Sequence, residues 1–417
     1  MEKLKIIGGK RLKGLVSVSG AKNAALPILA AGILTEGTLD LTNVPYVWDI
    51  LTMLRLLFHI GAEQVILRNG KVAIRIPKVQ SSEAPYELVK TMRASVLVLG
   101  PLLARNGYAK VSMPGGCAIG ERPVNLHIDG LKKLGASIEI EHGYIVARCK
   151  KLTGEEFAFE RKTVTGTENM IMAAALADGT TKLVNCAMEP EVADLADALN
   201  AMGAKIKGAG TDTIEIEGVS SLGSASHRII PDRIETGTYV MAGALAGERV
   251  EIAQCNPSHI TALLDKLGEM GISVKAGNEN VVVDGTENYK AKDLRTSTYP
   301  GFPTDMQAQY MALMTQADGA SVITETIFEK RFMHVAELVR MGADITIDGH
   351  NAIVKGKTAL KGAQVMATDL RASASLVLAA LVAEGETVID RIYHLHRGYE
   401  KMDEKLKSLG AHVEKIK

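Results

Sequence analysis

The sequence predicts an α/β protein built from six related modules, three to a domain, and three observations predict it. First, a helix end, a glycine and a strand recur at Gly61, Gly135, Gly203, Gly271, Gly342 and Gly410, each preceded by Ile, Leu or Met. Second, alanine-rich stretches run into Gly37, Gly107, Gly179, Gly247, Gly319 and Gly385. Both series advance by 66 to 74 residues. Third, the same order of elements fills each interval: alanine-rich helix, short strand, loop, amphipathic helix, two strands. A glycine in either series reads as the left-handed residue that ends a helix. The period is too long for solenoid repeats of about 20–50 residues, so each interval is read as a small α/β module.

The elements follow in order. Short strands such as Leu39–Thr42 and Lys182–Val184 succeed the first helix. The second helix is exemplified by Ile128–Leu134, and the closing pair by Ser137–Ile140 and Tyr144–Ala147. The alanine-rich helices are apolar nearly all round, which places them at the centre of each domain.

Composition agrees with this plan. Hydrophobic residues make up 47% of the 417, aromatics only 4%, so Ala, Val, Ile and Leu must build the core. That length allows roughly two or three domains. Lys plus Arg and Asp plus Glu are 48 each. The zero balance argues against general attraction to nucleic acid or a membrane surface. No apolar run reaches the roughly 20 residues of a membrane span, and the N-terminus lacks the apolar core of a signal peptide. A reducing cytoplasm is the expected setting. The four cysteines lack metal-ligand spacing, and Cys149, Cys186 and Cys255 read as small core or strand residues.

Cys117 differs. It stands in Met113-Pro-Gly-Gly-Cys117, five residues before Arg122. The glycines allow a sharp turn, and a guanidinium nearby favours thiolate and holds an anion. The openings of the first helix in each module add to this: Ala21-Lys-Asn23, Met92-Arg-Ala94, Thr167-Glu-Asn169, Ile234-Glu-Thr236, Thr304-Asp-Met306 and Leu370-Arg-Ala372. Glu168 and Glu235 suit a helix start as ordinary dipole partners. Lys22, Arg93 and Arg371 do not, so something negative must compensate them. Asp305 is either a helix cap or a general base. Later loops carry Arg331 and Arg397, and the whole points to a small polyanionic substrate. His127 is placed to line a site; His334, His394 and His396 read as structural hydrogen bonders. Walker, GxGxxG, HExxH and GxSxG motifs are absent.

At these residues a family resemblance becomes specific. Ser19–Pro27, Thr91–Ser95, the Pro-Gly-Gly-Cys117 loop, Phe302–Gln307, Thr324–His334, Ala367–Ser373 and Arg391–Tyr399 resemble, in order and end to end, the UDP-N-acetylglucosamine 1-carboxyvinyltransferases of the enolpyruvyl transferase superfamily. The resemblance implies a pair of inside-out α/β barrels, six βαβαββ repeats in two domains with the active site between them. It implies residues 22–230 as one domain, and 1–21 with 231–417 as the other. The implied reaction moves the enolpyruvyl group of phosphoenolpyruvate onto the 3′-hydroxyl of UDP-N-acetylglucosamine, with no cofactor and no metal. Carried over by motif, Cys117 is the general acid and forms a covalent adduct, Asp305 takes the hydroxyl proton, and Arg397 is the third catalytic residue. Lys22, Arg122 and Arg397 would hold the phosphate, Arg331 and Arg371 the carboxylate. Asn23 would contact the sugar or phosphoenolpyruvate. Arg93, the run Arg122, Pro123, Val124, Asn125 and Leu126, together with Asp305 and Ile327, would bind the nucleotide sugar. Asn125 stands where the family often has Asp. Trp48 lies in a stretch where members of the family carry a lysine, and it is given no substrate role. The competing readings are an enolpyruvylshikimate phosphate synthase, a silent nucleotide-sugar sensor and an RNA-end-processing enzyme.

Overall fold

The structure, a computed structural model, describes residues 2–63, 66–113, 124–328 and 330–417. The described residues form two compact units, one from residues 2–19 and 231–417, the other from 20–113 and 124–230. Among the described residues the main strands make six sheets, three in each unit.

Five of the six sheets share one four-stranded plan, and the first shows three strands in the same order among the described residues. In the third module, Glu156–Ala158 lies parallel to Thr180–Val184, which pairs antiparallel with Thr213–Glu217, which pairs antiparallel with Lys205–Lys207. Leu183, Ile214 and Ile216 point into the core, while Lys182, Glu215 and Glu217 face solvent. This period-two alternation is what a one-sided sheet requires. Inside each unit lie the alanine-rich helices: Lys22–Ala31, Leu99–Asn106 and Val164–Ala174 in one, Arg233–Ala246, Gln307–Met314 and Leu370–Val382 in the other. Every residue of Arg233–Ala246 is buried. Helices inside and sheets outside give each unit the inside-out layering.

The first glycine series behaves as expected. Gly61, Gly135, Gly203, Gly271, Gly342 and Gly410 all have positive φ just after a helix. The second does not. Only Gly107 directly caps its helix in left-handed geometry. Gly179, Gly319 and Gly385 take positive φ in the turn before the next strand. Gly247 is extended and opens a strand, where a Cβ would lie 2.3 Å from the Gly243 carbonyl oxygen. At Gly37 a Cβ would meet Ser224 Oγ at 2.6 Å. Thus at these two positions close packing, not φ, requires glycine. Glu168 is likewise not at a helix opening, because Thr163 caps that helix and Val164 starts it.

Three strands far in sequence from their partners complete the modules, one of them Leu12–Ser17, which runs parallel to Gly247–Ala253 and opens the fourth sheet. Lys3–Ile7 pairs antiparallel with both Glu386–Asp390 and His412–Ile416, completing the sixth sheet. Ala225–Arg228 runs parallel to Thr38–Thr42 and opens the first.

Close helix packing relies on small residues. Gly100 N donates to Asn169 Oδ1 at 2.7 Å, and a Cβ on Gly100 would sit 2.4 Å from that oxygen. Gly→Ala inside a helix ordinarily gains up to about 1 kcal/mol. Here overpacking reverses the sign, and Gly100→Ala is expected to cost roughly 1–3 kcal/mol, read as a lower urea midpoint.

Candidate active site

Asp305 ends up in company rather than on a cap. It lies in the short turn Thr304–Met306, fixed below by the buried Met306 and by Phe302, whose ring meets Tyr310 edge-on at 5.5 Å. Neither this turn nor the following helix takes a side-chain cap. The Asp305 carboxylate instead binds two guanidinium groups. Oδ1 meets Arg331 Nη2 at 2.7 Å, and Oδ2 accepts from Arg371 Nη2 and Nε at 2.9 and 3.2 Å. Both arginines are buried, while Asp305 keeps about a quarter of its side-chain surface exposed. Arg371 also lies over the Tyr399 ring, and its helix is capped by Asp369 through the amides of Arg371 and Ala372. Burial pulls the Arg371 guanidinium down, but Asp305, by charge and hydrogen bond, together with Tyr399 and Asp232 outweighs it and raises the group above its ordinary value. The negative partner demanded by a cation at a helix start is therefore a carboxylate of the chain itself.

Arg331 is gripped at its other end too, where Nη1 donates to Thr304 Oγ1 at 3.0 Å. Ile327 lies on the same loop with about a third of its surface exposed. Arg397 ends the short helix Ile392–Arg397, partly buried. Asp369 bears electrostatically on both His334 and His394, whose cationic neighbours include Arg331 and Arg397 respectively. The two histidines differ from the sequence expectation. His334 Nε2 and His394 Nδ1 are buried with no hydrogen-bond partner among the described residues. Burial, with these cations nearby, pushes His334 down to about 4 and lowers His394.

The other unit holds the remaining residues. Lys22 starts its helix, is largely buried, and pairs with Asp49 Oδ2 at 3.0 Å. Asn23 follows it, partly buried. Asp49 is in turn the second residue of the helix Trp48–Ile60, whose first residue, Trp48, is half exposed. Arg93 opens the turn Arg93–Val98 and bears electrostatically on His127. Val124 and Leu126 are buried and Asn125 is exposed at the start of the helix Asn125–Lys133. Cys117, Arg122 and Pro123 lie outside the described residues.

His127 is buried in a network that fixes its tautomer. The Asn169 amide accepts from Gly100 N, so its nitrogen faces Val96 O at 3.1 Å and His127 Nδ1 at 2.9 Å. Nδ1 then accepts, and Nε2 carries the hydrogen toward Thr165 Oγ1 at 3.3 Å.

Residues 6–406 match the family model described as EPSP synthase (3-phosphoshikimate 1-carboxyvinyltransferase). Proteins named UDP-N-acetylglucosamine 1-carboxyvinyltransferase match along the whole chain. That of Koribacter versatilis is 59% identical, covering 100% of this chain and 97% of its own, and that of Dichelobacter nodosus 56%, covering 100% and 99%. The chain belongs to the UDP-N-acetylglucosamine 1-carboxyvinyltransferase family. The fold is that of the enolpyruvyl transferases. The enolpyruvyl transferase NikO of Streptomyces tendae superposes with TM-score 0.90 at 26% identity, covering 100% of this chain and 99% of its own. An EPSP synthase of Acinetobacter baumannii shares the fold at TM-score 0.78 and 19% identity, with both chains covered in full. Among the described residues no helix is long and apolar enough to cross a membrane.

The arginines of the site stand out in the sequence of this family member, whereas the parts played by Asp49, Thr304, Glu325, Asn169 and Tyr399 emerge only from their contacts. Only Glu325 carried a local signal, a carboxylate set between two threonines in Thr324-Glu-Thr326 at a strand end.

The His127 network also predicts an acid response. Burial, with Arg93 adding to it, pushes His127 down to about 4. An unfolded chain binds that proton near pH 6.5. Between these values the unfolded state holds more protons, so stability is complete above about 6.5 and falls as pH drops toward 4, by roughly 3 kcal/mol from this residue. Urea midpoints measured from pH 7.5 to 4.5 should show the loss, and His127→Gln should flatten it.

Proposed function

We propose that this chain transfers the enolpyruvyl group of phosphoenolpyruvate to the 3′-hydroxyl of UDP-N-acetylglucosamine and releases phosphate, the first committed step of peptidoglycan synthesis, in the cytoplasm. The observation that carries the reading is the full-length identity of 55–59% with four relatives of that name. The geometry supports it with a chemical rationale.

Protonation of the methylene carbon of phosphoenolpyruvate leaves a cationic, oxocarbenium-like centre at C2. Cys117 is the proposed donor. The sugar hydroxyl adds to C2 as its proton passes to Asp305, forming a tetrahedral intermediate. Loss of a methyl proton and of phosphate then restores the double bond in the product. The methyl proton returns to the Cys117 thiolate, so each of the three proton transfers uses a proposed group, the kind of assistance worth about 10²–10⁴-fold. Asp305 is the counter-ion of Arg331 and Arg371. A substrate carboxylate offers both arginines an equivalent bidentate partner. Taking that place, it would release the Asp305 oxygens for the hydroxyl proton. Lys22, Arg122 and Arg397 are proposed for the phosphate, whose departure needs charge held in place. Asn23, Arg93, Arg122, Pro123, Val124, Asn125, Leu126 and Ile327 are proposed for the nucleotide sugar.

A coupled phosphate-release assay tests the reading. Release that requires both substrates supports it. Release with shikimate 3-phosphate in place of the nucleotide sugar, or none with either acceptor, overturns it.

A further inference from the structure

Glu325 is buried at the end of the strand Ala320–Thr324, and four groups donate to its carboxylate. Oε1 accepts from Thr296 Oγ1 at 2.9 Å, Ile327 N at 2.8 Å and Phe328 N at 3.2 Å. Oε2 accepts from Thr304 Oγ1 at 2.8 Å. The first three bonds tie down the loop that leads to Ile327 and Arg331. A neutral acceptor would suffice for them, without the cost of burying a charge.

The fourth bond gives the charge a purpose. The Thr304 hydroxyl donates to Glu325 and accepts from Arg331 Nη1 at 3.0 Å. One oriented hydroxyl thus joins a carboxylate to a guanidinium. The opposite end of that guanidinium meets Asp305 Oδ1 at 2.7 Å. Arg331 is therefore held from two sides, by Asp305 directly and by Glu325 through Thr304.

We propose that Glu325 is a positioning residue that keeps Arg331 in place through the Thr304 hydroxyl while the Asp305 side is surrendered to the substrate carboxylate. The inference rests on the proposed function for its substrate, phosphoenolpyruvate. A glutamine at 325 would keep a carbonyl oxygen for the loop amides but turn its amide nitrogen toward Thr304. The hydroxyl would then face two donors, one from the amide and one from Arg331. Thr304→Val cuts the same link from the other side and leaves the loop bonds intact.

The experiment compares wild type, Glu325→Gln, Thr304→Val and Thr304→Ser in the two-substrate phosphate-release assay, alongside NMR of the Arg331 guanidinium N–H signals. Glu325→Gln and Thr304→Val are expected to raise KM for phosphoenolpyruvate about tenfold, with KM for UDP-N-acetylglucosamine within about twofold, and Thr304→Ser to restore both. The guanidinium signals should exchange slowly in wild type and Thr304→Ser, and broaden in the other two. Equal change in both KM values, or wild-type KM values in Thr304→Val, overturns the positioning role and leaves the reaction assigned. Should wild type release no phosphate, the reaction falls instead. The NMR comparison then decides the positioning role alone: unchanged guanidinium signals in Glu325→Gln and Thr304→Val overturn it, and broadened ones support it.

Discussion

Asp305→Asn is expected to lower turnover by about 10²–10⁴-fold, the range lost with a general base, while tightening the binding of phosphoenolpyruvate. The first effect follows from the proposed role, since an amide accepts no proton at neutral pH. The second follows from charge. Asp305 answers two buried guanidinium groups at 2.7 and 2.9 Å. An asparagine leaves both without their counter-ion and turns an N–H₂ toward one of them. The pocket then carries excess positive charge, and an incoming carboxylate no longer competes with one already there. Breaking a buried pair by removing one partner costs about 3–5 kcal/mol. Asp305 is partly exposed, so water takes up some of that charge and the cost should fall well below this range. The variant should therefore fold, melt at lower temperature, and recover more of its midpoint on adding phosphoenolpyruvate than wild type does. Calorimetric titration and thermal melts read the binding, and phosphate release reads the turnover. Undiminished turnover would remove Asp305 from the mechanism. Reduced turnover with weaker substrate binding would reject the charge argument.

What was legible in the sequence was local. A left-handed glycine after a helix is set by its own backbone, so Gly61, Gly135, Gly203, Gly271, Gly342 and Gly410 could be read before any partner was known. The alanine-rich helices were legible for a similar reason, because residues apolar on every side can only be buried. The misreadings involve distant partners. Gly37 and Gly247 answer to backbone and side-chain neighbours that press against them, which spacing does not reveal. The strand Lys3–Ile7 completes a sheet with partners at the opposite end of the chain, and nothing in its own pattern names them. At the site, the residue types were visible and the pairings were not. Arg371 lies 66 residues from Asp305, and Asp49 lies 27 from Lys22. A cation at a helix start signals an anion nearby, but not whether it belongs to a ligand or to the chain. Here Asp305 and Asp49 fill that position.

The strongest chemical selectivity should appear at Cys117. A thiol reacts as its thiolate, so burial that disfavours charge makes it inert. Cys186 and Cys255 are buried just past the ends of strands, and desolvation pushes them up to about 12 and about 11. Cys149 is partly buried, its thiol facing the Leu103 carbonyl oxygen, and burial raises it too. The three thiols described are thus poor nucleophiles at neutral pH. Fosfomycin, an epoxide, is therefore expected to leave one adduct per chain. The Cys117 sulfur would form the new S–C bond as the C–O bond breaks and the oxygen takes a proton. Cys117→Ser should take no adduct and lose turnover by about 10²–10⁴-fold, because a hydroxyl is too weak an acid to protonate carbon. Cys117→Asp should separate the two properties. A carboxyl group can still donate a proton yet attacks an epoxide poorly, so activity should survive where alkylation does not. Peptide mass spectrometry locates the adduct, and phosphate release follows activity in the same samples. Labelling at Cys149, Cys186 or Cys255 in place of Cys117, or full turnover in Cys117→Ser, would show that the general acid lies elsewhere.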